Sequence, residues 1–465
     1  MGFQIDVDVF RNSKMFDSKG KLYHKSGNTF KLFPFVTQPN SAPVLELEPL
    51  VGSFLCRIEG KLPKQISASE LVEKLKEDTE IQDGQEELFF ETIRQLFFSE
   101  NGSVRPMNLH LIEQSVCTET SENRIAEYLV DVLGKIEPMK KSLVDAKAKT
   151  NSNVLESFVL SKLEFDDTNN IEEGLKYYRV IDSLRESFEE DFQYILEDSK
   201  RLREYLVSLL ELYFFTYTAQ VSLQLSRFMD GERNENIPLY FCLEWEKTSQ
   251  SRLCFTDGWQ KLQAAIEKIF AHAITLEILN QTTEGSEIVD YIRLNEIITD
   301  EETDEETDEE ISVQIDALTS LYRYSITDCV EMNELKKKEL ALGKTASSLR
   351  YLFDSIRTQF ENTGRVRAYG SYANKFESYC KKYLKSRGRS GLMLNLTEED
   401  LIFITKLCIK NQEQMRLKDV FKAFEKRGIF LDDISQEHAT EYYEKLNLIE
   451  KKSDSGDAKY VKRIL

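Results

Sequence analysis

The sequence predicts a mainly α, multi-domain helical protein with a small N-terminal β-containing module and a C-terminal winged-helix-like domain. Three observations predict it. Glu, Lys and Leu are abundant, while 465 residues hold only 19 Gly and 8 Pro, a composition that favours helix over turn-rich β architecture. Apolar residues recur every three or four positions over long stretches, the period of a helix face turned to a core. The last residues place three short helical patterns ahead of one hairpin pattern.

The expected layout is a β-containing module over 1–62, a helical bundle over 63–299, an acidic linker over 300–311, a helical segment with a basic surface over 312–395, and the terminal domain over 396–465. In the first module the aromatic run Phe30 to Val36 follows Gly27-Asn28 and precedes Gln38-Pro39-Asn40, both turn signals. Pro34 makes it an edge strand or an extended segment. Val51 to Ile58 is a second expected strand. Helices begin near Ser67, where Ser67 and Glu70 have capping-box spacing ahead of Leu71, Val72 and Leu75. Further helices fit 86–98, 122–134 and 153–164. Over 174–229, Tyr177, Ile181, Leu184, Phe188, Phe192 and Ile195, then Leu202, Tyr205 and Leu209, step by three or four, which predicts an amphipathic helix or helix pair. Trp259 to Leu279 is another helix.

Residues 300–310 carry nine carboxylates, a run that like-charge repulsion keeps extended and solvated. A mobile loop or linker is expected there; the alternative is a mimic of a phosphate backbone. A helix is expected from Ser312 to Leu342. Residues 344–391 then reverse the charge, with eleven cations against three carboxylates for a net of +8 in a chain of net −20. In the terminal segment Thr397 and Asp400 can cap a helix bearing Leu401, Ile404, Leu407 and Cys408. Leu417, Val420, Phe421 and Phe424 mark a second helix stopped at Gly428, and Ser435 to Leu446 a third. Two strands flanking Ser453 to Asp457 then form a hairpin with Gly456 in its turn.

Several function classes lose support. The N-terminus has no basic region followed by an apolar one, so a secretory signal is not expected. The most hydrophobic stretch, Leu206 to Leu225, contains Glu211, Gln220 and Gln224, and reads as a buried helix, not a membrane span. Seven scattered cysteines form no CxxC pair, which favours a reducing cytoplasm over a disulfide framework or a zinc ribbon. Gly343-Lys344-Thr345 supplies only the second half of a phosphate-binding loop, because Lys338 stands at the first glycine. His24, His110, His272 and His438 have no metal-ligand spacing. Glu334-Leu335-Lys336 has nuclease-like spacing without a preceding strand and fits a solvated helix face better. No catalytic, metal or cofactor-binding residue is therefore expected, and no cofactor.

The basic segment is the expected DNA surface, because cations on phosphates release counterions whatever the base sequence. Its candidates are Arg365, Arg367, Lys381, Lys382, Lys385, Arg387 and Arg389. Phe376, Tyr379 and Tyr383 fit a core stripe better than a base-stacking platform. An intramolecular charge partner is the rival reading for the cations. In the terminal domain the third helix carries Glu437, Glu441 and Glu444, so it is poorly suited to a major groove. Lys451, Lys452, Lys459, Lys462 and Arg463 on the wing, and Lys418, Lys422, Lys426 and Arg427 on the second helix, suit a DNA backbone. A protein-docking module is the other reading, slightly favoured.

Lys21-Leu22-Tyr23-His24, through Gly27-Asn28-Thr29-Phe30-Lys31-Leu32-Phe33-Pro34-Phe35, resembles the N-terminal signature of the DptG (DndG) family. The tail from Leu394 to Phe403, then Arg427-Gly428-Ile429-Phe430 and Leu446 to Ala458, resembles the same family. The resemblance covers the two ends of the chain. It implies a component of the bacterial DNA phosphorothioation-dependent restriction system, which acts against unmodified foreign DNA beside companion subunits that carry nucleotide-binding machinery. It supplies no catalytic residues. The expected role is a non-catalytic, cytoplasmic subunit that contacts double-stranded DNA and scaffolds partner ATPases. The alternatives are a metal-dependent nuclease or nickase, and a protein adaptor that does not touch DNA.

Overall fold

A computed structural model describes the chain except residues 1–2, 19, 26, 38–46, 65, 78–83, 99–103, 106–108, 116–119, 150–152, 168–174, 301–304, 453–457 and 465. The protein is mainly helical, with 61% helix against 9% strand. It divides into two units, one of residues 1–43, 177–184 and 215–465, the other of residues 44–176 and 185–214.

The first residues of the larger unit form helix α1 (Val7–Arg11), capped by the Asp6 carboxylate on Asp8 N at 2.8 Å. The run 30–36 is irregular, with a bend at Pro34, and pairs with no strand. Phe30, Leu32, Phe33 and Phe35 are all buried, and Pro34 offers no N–H. Its backbone is satisfied elsewhere: Lys31 O accepts from Tyr178 N at 2.8 Å, and Val36 O from Lys375 Nζ at 2.6 Å. The Glu277 carboxylate clamps the preceding turn, accepting from the amides of Gly27, Thr29 and Phe30 at 2.9 Å each.

The smaller unit contains α2 (Leu47–Glu59), β1 (Lys61–Pro63), α3 (Ala68–Lys76), α4 (Glu86–Phe97), α5 (Leu109–Ile112), α6 (Ser121–Leu133), α7 (Ile136–Lys149), α8 (Val154–Leu160), β2 (Phe165–Asp167) and α9 (Arg185–Leu196). The expected strand over 51–58 is instead α2. Leu50, Val51, Phe54, Leu55 and Ile58 follow the three-or-four step of a helix, and all are buried. Strand pairing starts only at β1, antiparallel to β2. The expected capping box is present at α3, where Ser67 Oγ accepts from Glu70 N and Glu70 accepts from Ser67 N at 2.8 Å. One core gathers α3, α4, α5 and α8 around Leu71, Leu75, Ile93, Phe97 and Val159. Another stacks Phe54 edge-on to Phe188 and Phe192, with Phe188 against Tyr213.

Beside them lies a charged knot. Lys147 on α7 pairs with both Glu59 on α2 and Glu113 in the turn after α5, and both carboxylates are buried. Burial, assisted by the neighbouring Glu59 charge, raises Glu113 to about 7 against the pull of Lys147. Burial also pushes the Cys56 thiol up, beside Glu113, and holds His110 down.

Helix α10 (Ser199–Ser226) starts in the smaller unit and ends in the larger. The 174–229 pattern is thus a helix pair, α9 and α10, while 177–184 is irregular. By length and composition α10 alone among the described helices is apolar enough to cross a membrane, yet 83% of its apolar window is buried inside the protein.

In the larger unit the chain continues with β3 (Tyr240–Leu243), α11 (Gln260–Ile266), α12 (Ile269–Leu279), α13 (Tyr291–Thr299), α14 (Glu305–Tyr324), α15 (Lys344–Glu361), α16 (Val366–Tyr379), β4 (Leu384–Ser386), β5 (Leu392–Leu396), α17 (Glu398–Ile409), β6 (Gln414–Arg416), α18 (Leu417–Glu425), β7 (Phe430–Leu431), α19 (Asp433–Lys445), β8 (Ile449–Lys452) and β9 (Ala458–Lys462). The single helix expected over 259–279 is broken between α11 and α12. Gly258 lies in the turn before α11, where an added Cβ would stand 2.9 Å from Tyr240 O, so only glycine lets that backbone approach β3. Every residue of α12 is buried, and α14, α15 and α16 pack around it.

The acidic stretch departs from expectation. Residues 301–304 lie outside the described ones, but from Glu305 onward the run is the first part of α14. Asp308 explains the order: its carboxylate accepts from the amides of Lys344 and Thr345, 2.9 Å each, at the start of α15, and Glu309 pairs with Lys344 at 3.1 Å. An acid on a helix N-terminus is favoured by the orphan amides and the dipole. The helix expected through Leu342 ends at Tyr324, and 325–342 is irregular apart from one turn at Glu331–Asn333. That stretch has no apolar stripe to bury, and Val330 is 78% exposed.

A four-stranded sheet runs β4-β5-β3-β7, with β3 parallel to both β5 and β7 and antiparallel β4 on the edge. A second sheet runs β6-β9-β8, all antiparallel. The capping box at Thr397 and Asp400 is present. Helix α18 ends at Glu425, three residues ahead of the expected stop at Gly428, which takes φ +76. The hairpin turn 453–457 lies outside the described residues.

Candidate nucleic-acid interface

Four of the expected DNA-contact cations are engaged inside the larger unit. Arg365, at the start of α16, pairs with Asp328. Burial alone would raise the Asp328 carboxyl; the Arg365 guanidinium holds it below its usual value. Lys382 pairs with Asp400 at 3.2 Å, and Lys385 with Glu244. Arg387 sits in the β4–β5 turn and reaches across the sheet, donating to Glu244 O at 2.9 Å and Asn395 Oδ1 at 2.7 Å. The turn 387–391 is therefore pinned at its first residue rather than a loose basic loop. Lys375, counted in the basic segment, is buried on Val36 O.

Helix α16 ends at Tyr379, before Tyr383 of the expected core stripe, and a short turn leads into β4. Phe376 and Tyr383 are buried against Phe215, with ring centroids at 5.7 and 4.9 Å, so they belong to the core and not to a stacking platform. Arg367, Lys381, Arg389 and Lys451 are exposed. Lys452 lies on β8, with its side chain outside the described residues.

The terminal module separates its charges by helix. On α18, Lys418 and Lys422 lie at i and i+4, and Lys426, at the helix C-cap, continues the row at i+8; all three are exposed. Such a row spans about 12 Å of helix at 1.5 Å per residue. Asp419 and Glu425 flank it, both half-buried. Arg427, grouped with these lysines by sequence, is buried instead. It donates to Ala423 O at 2.7 Å and Leu407 O at 3.1 Å, tying α18 to α17. The outer face of α19 is acidic, with Asp433, Glu437, Glu441 and Glu444 exposed. Lys459 pairs with Glu444 at 3.0 Å.

Near the end of α18 is a groove of about 470 Å³. Its floor includes Leu223, Ile237, Pro238 and Ala265, and its charged lining is Arg227, Lys261 and Lys268 against Glu235. Lys261 donates to Pro238 O at 2.9 Å and to Asp257 at 3.3 Å. Asn236, also in the lining, donates through Nδ2 to Glu425 O and Lys426 O, at 2.9 and 3.1 Å, so the groove wall is fastened to the end of the lysine row. Sequence reasoning missed Arg227, Lys261 and Lys268, which lie on different elements with no local charge excess.

No protein-family model matches the chain, and no curated protein matches it either.

A buried ionic network anchors α19. Arg252 pairs with Asp432, the α19 N-cap, and with Glu246 at 3.3 Å, while Ser435 Oγ donates to Glu246 at 2.9 Å. Burial would raise Asp432, but the Arg252 hydrogen bond holds it below its usual value. The histidines are dispersed. His24 Nε2 meets Tyr322 OH at 3.0 Å and burial lowers its pKa to about 3; His272 Nδ1 meets Tyr291 OH at 3.1 Å. Among the described residues no group of three or more His, Cys, Asp or Glu is placed to hold a metal ion. Glu334 and Lys336 are exposed and lie past a short turn rather than on a helix.

Gly343-Lys344-Thr345 does open a helix, but Asp308 already occupies the amides that a phosphate would need.

Proposed function

We propose that this chain is a non-catalytic, cytoplasmic subunit of a phosphorothioation-dependent DNA restriction complex, which contacts double-stranded DNA and scaffolds companion ATPase subunits against unmodified foreign DNA. The system is inferred from the DptG-like residues at the two ends of the chain. DNA contact is inferred from the surface chemistry.

The observation that carries the DNA reading is the exposed row Lys418, Lys422 and Lys426 in a module of suitable order. Helix α17, strand β6, helices α18 and α19, and hairpin β8–β9 come in the order expected of a winged helix-turn-helix, with the two-residue β7 inserted between α18 and α19 and paired to β3. In that arrangement the helix before the recognition helix crosses the DNA backbone, which is the place of α18. The recognition position falls to α19, whose carboxylates repel phosphate. That acidic face favours a protein partner, so the same module supports the scaffolding role.

The test is incubation of purified chain with supercoiled plasmid in Mg²⁺ or Mn²⁺, followed by native gel analysis. The expected result is retarded but intact plasmid. Metal-dependent nicking would replace this reading with that of a nuclease, and unretarded plasmid with that of a protein adaptor.

A further inference from the structure

We propose that the DNA backbone lies along Lys418, Lys422 and Lys426 of α18 and continues into the groove lined by Arg227, Lys261 and Lys268, bypassing the basic segment 365–389. This rests on the DNA-contacting role and assigns its surface.

In a chain of net −20, many cations are paired with a carboxylate. Four candidates of the 365–389 segment show this: Arg365 is on Asp328, Lys382 on Asp400 and Lys385 on Glu244, while Arg387 ties the end of β3 to β5 through Glu244 O and Asn395 Oδ1. Lys381 and Arg389 are exposed but lie in two separate turns, not in one row. Displacing those pairs would cost each phosphate contact part of its gain. The lysines of α18 differ. Their exposed side chains form no ion pair among the described residues, although Asp419 and Glu425 lie on the same helix. Arg227 and Lys268 in the groove likewise form no ion pair among the described residues.

Continuity comes from Asn236. Its amide holds the Glu425 and Lys426 carbonyls while it lines the groove, so the backbone at the last lysine of the row is tied directly to the groove lining. A row of about 12 Å matches three to four phosphates of one strand, at about 3.4 Å of duplex axis each. The groove's apolar floor of Leu223, Ile237 and Pro238 suits the sugar edge of that strand. Backbone contact of this kind positions the protein and carries no base sequence.

The experiment measures affinity of the full chain for a short unmodified duplex by fluorescence anisotropy over a salt series. Three variants are compared: K418Q/K422Q/K426Q, R227Q/K268Q and K381Q/R389Q. All change exposed or groove-lining side chains, and thermal melts confirm folding. With about 0.9 in log–log slope per phosphate contact, the α18 triple lowers the slope by about 2.7 and the groove double by about 1.8. The K381Q/R389Q slope stays at the wild-type value. If either of the first two variants keeps the wild-type slope, or K381Q/R389Q loses it, the path is overturned while DNA contact stands. If the wild-type chain shows no salt-dependent binding, both this path and the DNA-contacting role fall.

Discussion

Replacing Glu113 by Gln should stabilise the smaller unit at alkaline pH and leave it unchanged in acid. Glu113 is buried and shares Lys147 with Glu59, so one ammonium faces two carboxylates. Burial and the Glu59 charge raise its pKa from 4.5 to about 7. The sign follows from proton counting. Between those values the native state keeps a proton that the unfolded chain has released, so stability falls as pH rises from 4.5 to 7 and is level above. A shift of this size is at most about 3 kcal/mol, at about 1.4 kcal/mol per pH unit. Gln keeps the shape and the acceptor for Lys147 but never ionises. Hydrogen exchange of peptides from α2 and α7 reads this unit alone, after correction for the intrinsic pH dependence of exchange. The prediction is up to about 100-fold more protection in E113Q than in wild type at pH 8, and none at pH 4. Less protection at pH 8 would show that the ionised Glu113–Lys147 pair stabilises the native state, which refutes the reasoning.

Arg252→Ala leaves Glu246 and Asp432 buried without their cation and should cost about 3–5 kcal/mol; thermal unfolding followed through Trp245 and Trp259 fluorescence reads it, and a loss under 1 kcal/mol contradicts the network's role. Glu277→Ala removes the acceptor for three amides of the 27–30 turn. Only the Phe30 amide among them is buried, and an unsatisfied buried donor costs about 1–3 kcal/mol, so trypsin should cleave after Lys25 or Lys31 well before it cleaves wild type there. Asp308→Ala should lower stability by about 1 kcal/mol through loss of the α15 N-terminal acceptor, with a smaller loss in Asp308→Asn; equal losses would argue against it.

What was legible in the sequence was local. The capping boxes at Ser67–Glu70 and Thr397–Asp400 involve residues three apart, and both are present. The aromatics Phe376 and Tyr383 are core as expected, but the helical stripe that suggested it ends at Tyr379, which is only half-buried, and Tyr383 is buried from the turn beyond. Short apolar runs were ambiguous. Val51 to Ile58 suits either a strand or a buried helix, and the packing of α2 decided it. The charged stretch after Tyr324 has helix-forming composition but no face to bury. Misreadings of charge have one physical cause: an ion pair depends on distance in space. Lys385 and Arg387 meet Glu244 across more than 140 residues of sequence, and Arg252 meets Asp432 across 180. Local charge density thus could not show that Arg365, Lys382, Lys385 and Arg387 have partners within the larger unit, nor bring Arg227, Lys261 and Lys268 together around one groove.

The most direct test of the central claim is equilibrium binding of the purified chain alone to unmodified and phosphorothioated duplexes across a series of salt concentrations. The account predicts binding to unmodified duplex with a log–log salt slope of several units, about 0.9 for each phosphate contacted. Absence of binding even at low salt would contradict it and leave DNA to the companion subunits.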